Sequence, residues 1–400
     1  MILRKNKRFL PYSRQNIDKK DIQSVLKVLK SNFITQGPEI NNFEKSFAKY
    51  VGAKYAVACA TGTAALHISC LALNLNKRSK VLTSPITFVA SANCAEFIGS
   101  KIDLVDIDKT NHCMSVQELE KKLKKQKKID LVIVVHMAGQ SADMEKIFKL
   151  KKKYKFKIIE DSCHALGGNY KKHKVGSCKF SDISTFSFHP VKPITTGEGG
   201  MVTTNNKSIY EKLVLFRTHG ITKDPLKFAN KKNSRDNKGS INRWYYEMIN
   251  LGYNYRLTDI QAVLGKNQLT KLDKYTKERN KIAKIYNTAF KKNNLISVLD
   301  VKENSYHAYH LYTLLIDFKT LGKSRNEVMR ELANFNIGSQ VLYIPIYHQP
   351  YFKKKYNFKI KYFENSERYY QSALSIPIFY GLKKNEQKFI ISKINNIISK

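Results

Sequence analysis

The 400-residue chain is poor in several features, and each shortage excludes something. No run of about 18 apolar residues occurs, so no membrane-spanning helix and no membrane partner are expected. The opening Met1-Ile2-Leu3-Arg4-Lys5-Asn6-Lys7-Arg8 is basic, but no apolar core or small-residue cleavage site follows it. It does not read as a secretion signal. The six cysteines, Cys59, Cys70, Cys94, Cys113, Cys163 and Cys178, form no C-x-x-C pair. Their spacing argues against a disulfide framework and a zinc site, and for free thiols in a reduced, cytoplasmic setting. Cys163-His164 and His173…Cys178 also lack metal-ligand spacing, so no metal is expected. Acidic residues are scarce, 32 against 71 Lys and Arg, for a formal net charge of +39. Such a charge would suit nucleic acid. The lysines, however, are spread along the whole chain, and no nucleic-acid-binding motif accompanies them. The charge therefore reads as composition, with no nucleic-acid partner, although a basic field still attracts a diphosphate.

What is present is a regular alternation of strand and helix patterns with no internal repeat. Asp18 can cap a helix with Ile22, Val25, Leu26 and Leu29 on one face. Strands are expected at Tyr55–Cys59, Val81–Thr83, Ile102–Asp106, Leu131–His136, Phe156–Glu160, Ile183–Phe188 and Met201–Thr204, most of them separated by helices. That alternation predicts an α/β fold with a mostly parallel sheet covered on both faces. Residues 223–243 are polar and aperiodic and read as a mobile loop. One long helix is expected from Leu257 to Phe290, then a smaller α+β segment with a strand at Tyr309–Phe318 and helices near Asn326–Phe335 and after Asn385. The expected division is a large lobe, 1–252, and a second unit, 253–400, comprising the connecting helix and the small lobe.

The candidate chemistry centres on Ser187-Phe188-His189-Pro190-Val191-Lys192-Pro193-Ile194-Thr195-Thr196-Gly197-Glu198-Gly199-Gly200. A lysine fixed between prolines, beside glycines that allow close approach, suits a Schiff-base lysine. Asp161 ends an apolar strand, where ligand sites of parallel sheets lie; its plainer reading is a helix N-cap. Glu160 should point to the opposite face. His164 is a ring partner or a structural histidine. Thr61-Gly62-Thr63 sits at a strand-to-helix turn whose backbone N–H groups could hold a phosphate, with Ser187 able to add a hydroxyl. Phe88 can stack on a ring or pack in the core. Asn254 and Arg256 either serve an anionic ligand or simply precede a helix with Thr258 or Asp259 in its first turn.

Taken in order, six motifs resemble those of the DegT/DnrJ/EryC1/StrS nucleotide-sugar aminotransferases. They are Thr35-Gln36-Gly37-Pro38, Ala60–Leu66, Glu160–His164, the Lys192 loop, Arg217-Thr218-His219-Gly220 and Gly252–Gln261. The resemblance runs from about Pro11 to the end. It implies a fold type I pyridoxal-phosphate enzyme working as a homodimer with shared active sites. In that reading pyridoxal 5'-phosphate is held by Lys192 as Schiff-base lysine and proton shuttle, Asp161 on the ring nitrogen, His164 near the phenolic oxygen and Phe88 against the ring. Gly62, Thr63 and Ser187 take the phosphate, with Asn254 reaching it from the partner subunit. Trp244–Met248, Ser187–Gly200 and Tyr343–Tyr351 resemble one branch, whose substrates are L-glutamate and a UDP-linked 4-keto-deoxysugar of the pseudaminic acid route. Arg256, Tyr343 and His348 are its candidate substrate contacts. One position departs from that branch: Leu342 stands where a histidine is expected. The family's dehydrases carry histidine in place of Lys192, so the lysine argues for amino transfer; other keto-deoxysugars remain the competing substrates.

Overall fold

The computed structural model describes residues 8–126 and 128–399. Seven strands form the main sheet, in the order Tyr55–Cys59, Gly200–Thr204, Ile183–Ser187, Lys157–Asp161, Leu131–Val135, Lys80–Thr83 and Lys101–Leu104. Gly200–Thr204 runs antiparallel to both neighbours; the other pairings are parallel. The expected α/β architecture is therefore present, and the sheet is buried on both faces as parallel strands require. Alternation along the strands shows it. Leu131, Ile133 and Ile159 join an apolar cluster with Leu66 and Ile68 of the helix Gly62–Ala72. Val132, Val134 and Ile158 join another, with Leu119 and Ile147 from helices on the opposite side.

A smaller sheet follows the strand order Ile296–Val298, Tyr312–Ile316, Ala373–Ile376. Its core gathers residues from Ile282 to Ile398 and takes in Leu10 from the opposite end of the chain. The N-terminal segment then crosses to the main sheet. Leu10 bridges Asn336 and Gly338, the Tyr12 carbonyl accepts from Ile378 N, and Ser13 Oγ donates to the Val191 carbonyl at 2.8 Å.

Two expectations need correction, the long helix and the strand at Tyr309–Phe318, and one expected helix packs unusually. The long helix is two, Asp259–Leu269 and Leu272–Phe290. Thr270 caps the first by bonding its hydroxyl back to the Asn267 carbonyl, and Lys271 turns to place its ammonium 2.6 Å from Asp21. The apolar face of the helix Lys19–Leu29 is not buried in its own chain: Ile22, Leu26 and Leu29 are about half exposed, whereas Asp21 is fully buried. The strand expected at Tyr309–Phe318 spans only Tyr312–Ile316, because Asp317 and Phe318 begin a short helix. Residues 223–243 form a succession of turns, in which the Glu247 carboxylate accepts from Ala229 N and Asn230 N and Phe228 lies buried against Tyr245.

Candidate active site

The C-terminal ends of Lys157–Asp161 and Ile183–Ser187 open into a cavity of about 430 Å³. Lys192 reaches it from the loop after the second strand. That loop is fixed by its own bonds. Thr195 Oγ1 donates to the Phe188 carbonyl at 2.9 Å, Lys192 N to the His189 carbonyl at 2.8 Å, and Gly197 turns at φ +82°. Burial pushes the Lys192 ammonium below its ordinary pKa, despite the opposing pull of Cys163 and Asp161. Desolvation thus makes the neutral, nucleophilic amine easier to reach than in an exposed lysine.

Asp161 is buried at the end of its strand. Its Oδ2 accepts from Ser91 Oγ at 2.6 Å and its Oδ1 from Cys163 N at 3.2 Å. Glu160 does face the other way, pairing with His136 Nε2 at 2.7 Å. His164 is buried, with Nε2 3.0 Å from the Tyr343 hydroxyl and Nδ1 without a partner among the described residues. Burial, reinforced by the nearby Lys192 charge, holds this imidazole well below its usual pKa, so it is neutral. Phe88 stands at the cavity wall with its ring half exposed, 5.9 Å from the ring of Tyr343. It is not a core residue.

At the far side, Thr61 caps the helix Gly62–Ala72 by accepting from Ala64 N. Gly62 and Thr63 open that helix beside Ser187. A Cβ on Gly62 would lie 2.7 Å from Ser187 Cβ, and one on Gly200 would lie 2.2 Å from the Thr61 carbonyl oxygen. The two turns are therefore as close as glycine permits, leaving backbone N–H groups and a hydroxyl around one small space.

The cavity thus brings together Gly62, Thr63, Phe88, Asp161, His164, Ser187, Lys192 and Tyr343. It leaves out three candidates. Asn254 is exposed and bridges Thr218. Arg256 lies outside the lining, and His348 bonds Glu367 at 2.7 Å. Sequence reasoning missed Tyr12, Thr87 and Ser91. Tyr12 arrives from the N-terminal segment, and no local pattern announces so distant a contact. Ser91 stands in an alanine-rich helix, where it resembles any small core residue.

These groups fit pyridoxal phosphate. They are a desolvated lysine, a buried carboxylate, a neutral imidazole with an unpartnered nitrogen, and a glycine cradle that a side chain would fill. Comparison with known proteins agrees. The model of the DegT/DnrJ/EryC1/StrS aminotransferase family matches residues 15–395. The chain belongs to that family. The UDP-4-amino-4,6-dideoxy-N-acetyl-beta-L-altrosamine transaminase of Campylobacter jejuni is 38% identical over 392 residues, 98% of each chain. Helicobacter pylori PseC, an aminotransferase of pseudaminic acid biosynthesis, superposes with a TM-score of 0.88 at 30% identity, covering 98% of this chain and 99% of that one. The putative sugar aminotransferase Spr1654 of Streptococcus pneumoniae, in its PLP form, gives 0.86 at 27% identity over 98% of both chains. The protein is a pyridoxal-phosphate-dependent nucleotide-sugar aminotransferase of fold type I. Among the described residues no helix is long and apolar enough to cross a membrane.

Proposed function

We propose that the protein transfers the amino group of L-glutamate to the 4-keto group of a UDP-linked 2-acetamido-2,6-dideoxy hexulose, as in the pseudaminic acid route. The observation that carries this is the convergence of Lys192, Asp161, His164 and Ser187 on one cavity in a chain matched end to end by a transaminase of that name. When bound, the cofactor supplies an electron sink for the carbanion that amino transfer requires. Lys192 Nζ, whose charged form desolvation disfavours, removes the proton from glutamate Cα and later delivers one to the sugar carbon. With the cofactor bound, Asp161 would keep the ring nitrogen protonated, Phe88 would bear on the ring, His164 would meet the phenolic oxygen, and Gly62, Thr63 and Ser187 would hold the phosphate. Tyr343 and Leu342 form the wall from which substrate would be touched. The leucine that departs from the branch pattern therefore bears directly on the choice of sugar.

A cytoplasmic homodimer belongs to the same proposal. The half-exposed Ile22, Leu26 and Leu29 support it, as would the exposed Asn254 if it reached the partner's phosphate site; Arg256 and His348 would act at the substrate end. So does the division into a cofactor lobe through residue 252 and a second unit beyond it.

The test is the near-visible spectrum of the protein loaded with pyridoxal phosphate, before and after L-glutamate. Conversion to the amine form of the cofactor, then reconversion by the keto-sugar with release of a 4-amino sugar, is the expected result. A spectrum that glutamate leaves unchanged would refute glutamate as donor, and inertness toward the UDP-keto-sugar would refute the acceptor.

A further inference from the structure

Asp161 is gripped from beneath by groups outside the motifs read from the sequence. Ser91 Oγ lies 2.6 Å from its Oδ2, and Thr87 Oγ1 lies 2.8 Å from Ser91 Oγ. All three residues are buried. The directions of these bonds follow from counting protons. A carboxylate only accepts, so the single Ser91 proton goes to Asp161. Thr87 must then donate to Ser91. The Phe88 carbonyl, 3.2 Å from Thr87 Oγ1, also only accepts and is the longer contact. The chain therefore runs from Thr87 to Ser91 to Asp161, each dipole aimed at the carboxylate. The same turn carries Phe88, whose carbonyl accepts from Ser91 N at 3.2 Å.

We infer that Ser91 is a positioning residue for the cofactor: it orients the Asp161 carboxylate toward the ring nitrogen, and its turn sets Phe88 against the ring face. One five-residue segment, 87–91, thereby fixes both the edge and the face of the ring. The inference rests on the reading of Asp161 given above. Ser91 touches neither substrate nor cofactor in it and acts only through Asp161. The neighbouring helix residues Ala92 and Ala95 are fully buried, as is Ser91, which therefore sits in packed core behind the cavity wall. The titratable groups around Asp161 are Cys94 on the Ser91 helix, Cys163 and His164 on the turn after the strand, Lys192 on its loop, and Tyr343.

The test compares Ser91→Ala with Ser84→Ala, a nearby buried serine whose hydroxyl has no partner. Two quantities are read on folded protein: the dissociation constant for pyridoxal phosphate, and the pH midpoint of the bound cofactor's near-visible band. A hydrogen bond to a charged group is strong enough that losing it should weaken cofactor binding about tenfold or more. The midpoint should also shift, because the carboxylate that faces the ring nitrogen loses a donor. Thr87→Val should move both in the same direction and by less, and Ser84→Ala should move neither. A folded Ser91→Ala with wild-type affinity and midpoint overturns the inference. If Ser91→Ala does not fold, wild-type values in Thr87→Val overturn it instead. A wild-type protein with no cofactor band at all would overturn the reading of Asp161 itself, a distinct result.

Discussion

His164 and Tyr343 stack in the cavity, Nε2 3.0 Å from the hydroxyl and the rings 22° from parallel, although 179 positions separate them in the chain. Burial holds the imidazole neutral and the phenol protonated, so the pair shares a neutral hydrogen bond that ties a distant segment of the chain to the wall of the cavity. Tyr343→Phe keeps the stacking and deletes only that bond. A neutral bond is worth about 1 kcal/mol, so cofactor affinity should fall roughly two- to tenfold, with a shifted absorption maximum. An unchanged spectrum and titration would show that His164 is held in place by other contacts.

The Gly62 turn is expected to admit no side chain. The Cβ of Gly62→Ala would press on Ser187 Cβ at 2.7 Å, and overpacking of this kind costs about 1–3 kcal/mol. Because the displaced atoms surround the proposed phosphate site, the variant should bind pyridoxal phosphate about tenfold or more weakly. Pyridoxal, which lacks the phosphate, should be affected much less. Equal losses for the two compounds would mean that the turn does not hold the phosphate.

Much of this site was legible in the sequence because its parts lie within single loops: Glu160–His164, Ser187–Gly200 and Thr61–Thr63. What was not legible depends on long-range packing. The direction of Gly200–Thr204 is fixed by its pairing with Tyr55–Cys59 and Ile183–Ser187, which no local pattern encodes. The exposed stripe Ile22, Leu26, Leu29 has the periodicity of a core-facing helix, but buried Asp21 decides which side turns inward. Its carboxylate collects Asn267, Gln268 and Lys271 from across the fold. Tyr12 reaches the cavity, and Ser91 reaches Asp161, by the same kind of distant approach.

Lys192 should attack aldehydes at a lower pH than an ordinary lysine. Burial lowers its pKa, so the fraction of neutral amine rises earlier as pH increases. The rate at which apoprotein captures pyridoxal phosphate should therefore climb with pH and level off below the usual lysine range. Lys192→Ala should fold, show no lysine-linked band and lose turnover. A capture rate that follows an unperturbed lysine would contradict the desolvated amine, and appreciable turnover in the alanine variant would remove Lys192 from the mechanism.

Asp259 joins two of the motifs through which the family is recognised. It is fully buried, and its carboxylate accepts from Gly37 N at 2.7 Å and Glu39 N at 2.9 Å. It thereby caps the helix Pro38–Val51, whose own N-cap, Gly37, offers no side chain. Its own helix does not depend on it for a cap, because Thr258 and Gln261 form a capping box there. That helix also reaches the lysine loop, through Gln261 Nε2 on the Glu198 carbonyl at 2.8 Å. Asp259→Ala leaves the half-buried Gly37 and Glu39 N–H groups without their acceptor, and each unsatisfied donor costs about 1–3 kcal/mol. The expected result is a loss of about 2–5 kcal/mol in denaturant unfolding, with cofactor affinity reduced less than in Gly62→Ala, since no lining residue is removed. Asp259→Asn, which keeps one acceptor oxygen, should recover about half of the lost stability. If Asp259→Ala unfolds like wild type, the helix Pro38–Val51 must be anchored by its buried face, Phe43 and Phe47 included, rather than by its cap.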